Sequence, residues 1–188
     1  DAPVAIHAVE RFLGDLAVKN GWQVPVRPPT GKKVLVVGAG PGGLSCAYHL
    51  ARLGHQVEIR DANPEPGGMM AYGIPSYRLP RADLRKEIER IAAMPAIAIQ
   101  CGRRVDDVAA EKEKGGFDAV FVAVGAQVAN HLDIPATDGK KMVDAITLLE
   151  KAQEGKQPSL GRVVIVGGGN VAMDAARTAK RLGASEAV

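Results

Sequence analysis

Residues 34–62 read VLVVGAGPGGLSCAYHLARLGHQVEIRDA. Val34–Val37 is an unbroken apolar run, as expected of a strand covered on both faces in a parallel sheet. A helix is expected from about Gly42 to Leu53, stopped at Gly54, and Gln56–Arg60 is the next strand. Between strand and helix stand Gly38, Gly40 and Gly43, with Pro41 inside the turn. Each glycine has a mechanical reason. Gly38 turns the chain tightly off the strand, Gly40 lets a pyrophosphate approach the backbone, and Gly43 lets helix and strand pack closely. The helix start then offers free N–H groups and about half a positive charge to an anion. Asp61 closes the second strand, at roughly the 20-residue offset where an acid accepts from ribose hydroxyls.

Residues 163–184, VVIVGGGNVAMDAARTAKRLGA, repeat the pattern. Gly167, Gly169 and Ala172 give its G-x-G-x-x-A form, with Asn170 and Val171 at the expected helix start. Two such motifs suggest two dinucleotides facing each other, and a flavin with a nicotinamide is the usual hydride-transfer pair. The bland alternatives are a glycine-rich packing turn, or a duplicated fold with one dead site. The expected class is α/β: a Rossmann-like parallel sheet domain, then the start of a second Rossmann-like domain.

The rest of the chain fills in around these motifs. Val9, Phe12, Leu13 and Leu16 recur at helical spacing within 4–20, and VPVRPPTGKK is an extended connector. The segment 62–80, rich in proline and glycine, is a long shaped loop of the kind that usually carries function. Helices are expected at 81–94, 106–114, 144–153 and 170–182, and strands at 96–100, 118–124 and 162–166, with an interdomain crossing at 125–142.

Composition excludes several classes. The 22 glycines in 188 residues exceed the usual ~7% share, but they cluster at the motifs. A net charge of +3 without a basic run argues against nucleic-acid binding. No apolar run reaches ~18 residues, so no membrane span is expected. Two separated cysteines make neither a disulfide framework nor a metal site, and a reducing cytoplasm is the easy location. The absence of C-x-x-C argues against disulfide reductases of the same architecture. The chain starts at Asp1 without a signal sequence, which suggests a processed product or one piece of a longer protein.

Five stretches carry a resemblance: PVAIHAVERF, VLVVGAGPGGLSCAYHLARLGHQVEIRDA, EPGGMMAYGIPSYRLP, DAVFVAVGA and GGGNVAMDAARTAKRLGA. Together they are similar to the small (beta) subunit of NADPH-dependent glutamate synthase. They are similar also to the flavoprotein part of dihydropyrimidine dehydrogenase and the large subunit of NADH-dependent ferredoxin:NADP oxidoreductases. The resemblance implies FAD at the first fingerprint and NADP or NAD at the second. It places Gly67 and Gly68 along the flavin, with Met69, Tyr72, Gly73 and Ile74 near the isoalloxazine or its approach. It makes Arg78 a cofactor contact, sets Asp61 in place of the usual Glu, and sets Gly125 on the strand end that passes FAD. Val124 stands where a Thr is common. The division it implies is 1–30 as the lead-in and tail of an iron–sulfur domain, 31–138 as an FAD domain, and 139–188 as an incomplete NAD(P) domain. The family's iron–sulfur ligands, its flavin-closing G-D segment and its 2′-phosphate loop all fall outside these residues, so one piece of a longer chain is expected. The implied activity is electron passage from NAD(P)H through FAD to iron–sulfur clusters, a large subunit or a ferredoxin-type acceptor. A non-enzymatic dinucleotide-binding module is the rival.

Other residues have plainer expectations. Cys46 is read as a small core residue, and Cys101 has no sequence partner. His7, His49, His55 and His131 are read as surface or boundary residues. Met69-Met70 either lines flavin or fills a gap. Asp174 and Arg177 are read as an i,i+3 surface pair.

Overall fold

Five residues, Lys33–Val37, form the central strand β1 of a four-stranded parallel sheet. Before it comes helix α1 (Ile6–Asn20), and after it α2 (Pro41–Arg52) and β2 (Gln56–Arg60). A short helix α3 (Met69–Tyr72), then α4 (Arg81–Ala92), β3 (Ile97–Gln100), α5 (Val108–Gly115) and β4 (Ala119–Val122) complete the first unit. Helix α6 (Ala145–Gln153), β5 (Arg162–Val163), α7 (Asn170–Arg181) and β6 (Glu186–Ala187) follow. The structure is a computed structural model and describes residues 3–126, 128, 142–153, 155 and 160–188. His131, most of the expected crossing and the boundary at 138/139 lie outside the described residues.

The sheet order is β3-β2-β1-β4, so β1 is flanked on both sides. Val34 pairs with Val57 on one side and Ala119 on the other. Alternation along β1 feeds two cores. Val36 packs with Leu44, Ala47 and Ala51 of α2, Ile59 of β2, and Leu84 and Ile88 of α4. Leu35 and Val37 pack with Phe117 on the opposite face. Burying one such aliphatic side chain is worth about 1.5–3 kcal/mol.

Several expectations shift in detail. Pro41 takes the first position of α2, where its missing N–H costs nothing. The long loop contains α3, four residues long and too short to show a period. Asp107 caps α5 by accepting from Ala110 N at 2.9 Å. The strand expected at 162–166 is assigned only at Arg162–Val163, because β6 offers it few partners, although Ile165 N still donates to Val188 O at 2.6 Å. Helix α1 forms as expected, but Val9, Phe12 and Leu13 are exposed.

Candidate functional site

The first glycine turn is built by close approach. Gly38 has φ +108°, and a Cβ there would lie 2.3 Å from the Ala123 carbonyl oxygen. A Cβ on Gly43 would lie 1.9 Å from the Gly38 carbonyl oxygen. Both positions exclude any side chain by packing alone. Gly40 differs. Its backbone is extended (φ −74°, ψ −177°) and suits any residue. A Cβ on it would meet only the Gly68 Cα, at 3.8 Å. A methyl at Gly40 would therefore sit in ordinary contact with Gly68 without a clash, and the first N–H groups of a helix have no intrahelical acceptor.

The loop 62–80 folds back over this turn. Gly67 N donates to Ala39 O at 2.8 Å. A Cβ on Gly68 would be 2.7 Å from the Gly40 Cα, so the two loops touch backbone to backbone. Met69 lies against Gly73, where an added Cβ would fall 2.2 Å from its sulfur. The Tyr72 hydroxyl donates to Glu65 O at 3.1 Å and accepts from Glu65 N at 3.0 Å. Burial pushes its pKa up. Ile74 is exposed and Gly73 buried. Gly125 follows β4 with φ +74°.

Asp61 is buried at the end of β2. Its Oδ2 accepts from Ala39 N at 2.6 Å and its Oδ1 from Asn63 N at 2.7 Å. The acid expected to face a ribose thus also braces the glycine turn. Arg78, expected as a cofactor contact, is bonded to α7. Its Nε donates to Asp174 Oδ1 at 2.5 Å, and that bond raises the guanidinium pKa. Tyr77 Oη donates to the same oxygen at 2.9 Å. Asp174 is buried, so the surface pair expected with Arg177 is corrected: the acid faces Tyr77 and Arg78. It lies on the buried face of α7 with Ala172, Ala175 and Thr178, and an acid in that apolar period was the available signal. Arg81 was also missed. Its Nη1 donates to Met70 O and its Nη2 to Ile74 O, each at 2.6 Å, and burial lowers its pKa.

The second turn is looser. Gly167 has φ +134°, and a Cβ there would meet the Ala172 Cβ at 3.6 Å, ordinary contact that explains why alanine is accommodated. Gly169 has nothing within 4 Å. It precedes α7 in extended conformation, with Asn170 and Val171 exposed. A cleft of about 1290 Å³ lies between α1 and the pair α2 and α4, lined by Trp22, Leu44, Tyr48 and Ile91 and reaching Pro41 of the first turn.

Cys46 and Cys101 are free, and burial pushes both thiols above the ordinary 9.0. Among the described residues there is no cluster of three or more metal-ligating side chains, and no helix is long and apolar enough to cross a membrane.

Residues 32–188 match the pyridine nucleotide-disulphide oxidoreductase family. The chain is 41% identical to the NADP(+)-dependent formate dehydrogenase subunit beta of Moorella thermoacetica, covering 99% of this chain and 30% of the relative. It is 40% identical to the NADPH-Fe(3+) oxidoreductase subunit beta of Geobacter sulfurreducens, over 99% of this chain and 29% of that one. A putative glutamate synthase [NADPH] small chain from Cereibacter sphaeroides is 35% identical, over 97% of this chain and 47% of its own length. The chain therefore spans under half of each of these relatives. Among solved structures, the His57Gln mutant of FprA from Mycobacterium tuberculosis superposes with a TM-score of 0.68 at 27% identity, over 80% of this chain and 36% of FprA.

Proposed function

The chain belongs to the pyridine nucleotide-disulphide oxidoreductase family, and from that premise we propose that it is the two-nucleotide portion of a flavoprotein similar to the glutamate synthase small subunit. On this reading it passes electrons from NAD(P)H through FAD toward iron–sulfur clusters or a partner subunit. Residues 31–138 hold FAD, 139–188 begin the NAD(P) domain, and 1–30 lead in from an iron–sulfur domain. Bound together, the two cofactors supply hydride transfer and the onward release of single electrons. The residues supply placement. Gly38, Gly40, Pro41 and Gly43 present the start of α2 to the FAD pyrophosphate, and Asp61 fixes the turn that does so. Gly67, Gly68, Met69, Tyr72, Gly73, Ile74 and Gly125 border the flavin. Gly167, Gly169, Asn170, Val171 and Ala172 present α7 to the nicotinamide dinucleotide. Disulfide exchange has no support, since the two free thiols lie apart in sequence and burial raises both pKa values.

The observation that carries the reading is Gly40. Its backbone needs no glycine, and the protein leaves room for a methyl there, in ordinary contact with Gly68. Gly38 and Gly43 are explained by packing, whereas Gly40 is explained by a ligand that comes close to the backbone. The test compares two substitutions in the complete protein. Gly40→Val should fold with unchanged circular dichroism and bind flavin at least about tenfold more weakly, ~1.4 kcal/mol. Gly43→Ala should fail to fold stably, because its methyl meets a backbone oxygen. Wild-type flavin absorbance should bleach on anaerobic addition of NADPH or NADH. Full flavin retention by Gly40→Val would remove the site assignment. Flavin that neither nucleotide bleaches would leave a binding module.

A further inference from the structure

Residues 73–80 are fastened at two places by charged side chains. Arg81 ties the segment to its own unit through the carbonyls of Met70 and Ile74. Asp174 ties it to α7, which lies 96 and 97 residues further on, through Arg78 and Tyr77. The ring of Tyr77 receives two more groups from the same helix. The guanidinium carbons of Arg177 and Arg181 lie 4.7 and 3.9 Å from its centroid, within cation–π range. Asp174, Arg177 and Arg181 recur at i, i+3 and i+7, so a single stripe of α7 makes the whole contact.

This contact has the composition of a clasp rather than of chance packing. Asp174 is 7% exposed. A carboxylate so buried needs partners, and both bonds here go to one oxygen from one dipeptide. Removing either donor would leave that oxygen poorly satisfied. The stretch that leads into the segment through α3 is also fixed, since Gly67 N bonds Ala39 O inside the first glycine turn. The second glycine turn opens the same helix. Asp174 follows the cap residue Gly169 by five helical positions, about 7.5 Å along the axis. A chain of direct contacts thus runs from the first turn, through α3 and the 73–80 segment, to the start of α7.

We propose that Asp174, with Tyr77 and Arg78, is a positioning residue that sets the two nucleotide-binding turns in register. This inference rests on the reading of both turns as nucleotide sites. Its physical basis is that hydride transfer needs the reacting atoms within about 3.5 Å, and a displacement of 1 Å can cost about a hundredfold in rate. The bonds to the Asp174 carboxylate come from Tyr77 and Arg78. It holds the segment that borders one site against the helix that opens the other.

The test uses the complete, flavin-loaded protein and the variants Asp174→Asn, Arg78→Gln and their combination. Amide hydrogen exchange across 73–80 should rise about tenfold or more in Asp174→Asn, since local opening tracks lost contacts. The rate of flavin reduction at saturating NAD(P)H should fall at least about tenfold. Flavin content and the NAD(P)H dissociation constant should stay within about twofold of wild type. Arg78→Gln should add less than about twofold once Asp174 is changed, because coupled partners are not additive. A purely structural contact would lower flavin content and nucleotide affinity together with rate, and that result overturns the proposal. Unchanged exchange, or two substitutions whose effects multiply, also overturns it. If wild-type protein takes up no flavin, the functional reading fails by itself. Hydrogen exchange in the single and double variants then still decides whether the clasp joins the two units.

Discussion

Asp61 places two backbone N–H groups, those of Ala39 and Asn63, on the two oxygens of one buried carboxylate. Both donors sit in tight turns with little alternative partnering. Replacing the acid by the isosteric amide, Asp61→Asn, points an N–H₂ at one of these donors. The expected loss of stability is about 1–3 kcal/mol, read from denaturant unfolding, because a buried donor is left unmade. An unchanged midpoint would mean that the carboxylate does not brace the glycine turn. The offset between Gly38 and Asp61 makes the acid legible from spacing alone. Its second set of partners is not, since a two-residue turn at Asn63 leaves no periodic trace. Asp174 is hidden for a different reason. A helical acid one turn before an arginine reads as a surface pair, and although its small apolar neighbours mark a buried face, the partners Tyr77 and Arg78 lie far away in sequence.

At the scale of elements, the helices and strands with a clear period were all legible, and the exceptions are instructive. Helix α3 has four residues, fewer than one period needs to repeat. Helix α1 was legible as a helix but not as an exposed one, because amphipathic spacing says that a face is apolar, not what covers it. Two element joints depend on acids that titrate. Asp118 joins the start of β4 to β1, accepting from Lys32 Nζ at 2.7 Å and Lys33 N at 2.9 Å. Asp144 opens α6, accepting from the Thr147 hydroxyl at 2.6 Å and from Thr147 N at 2.9 Å. These bonds hold both carboxyls below the ordinary 3.8. A carboxyl with a depressed folded pKa binds its proton less readily folded than unfolded. Its stabilising effect is complete above 3.8 and fades as pH falls through the lower folded value. The melting temperature should therefore be nearly flat from about pH 7 to about pH 5 and drop below about pH 4. The double variant Asp118→Asn, Asp144→Asn should show a shallower acid drop than wild type. An equally steep drop would place the acid sensitivity in other groups.

The described residues form two parallel sheets, β3-β2-β1-β4 and β5-β6, bridged by α6, α7 and the 73–80 segment. The class and the repeated unit were legible because both glycine turns follow apolar runs. The order of strands was not, since a one-dimensional pattern does not say that β1 has a neighbour on each side. That central placement has a consequence in time. β1 meets β2 across a single helix, whereas its other neighbour starts 85 residues away at the Lys33–Asp118 contact. Closing the nearer pair costs less chain entropy, so β1, α2 and β2 should assemble first and β4 should join afterwards. Truncations then separate by kinetic limb. Val57→Ala, in β2, should chiefly slow refolding, and Val120→Ala, in β4, should chiefly hasten unfolding. Stopped-flow chevrons of the two variants measure this directly, and a slowed refolding limb for Val120→Ala would reverse the order. During synthesis the first glycine turn would accordingly take shape while the residues that later crowd Gly38 from Ala123 are still being added, so its final narrowness is a late acquisition.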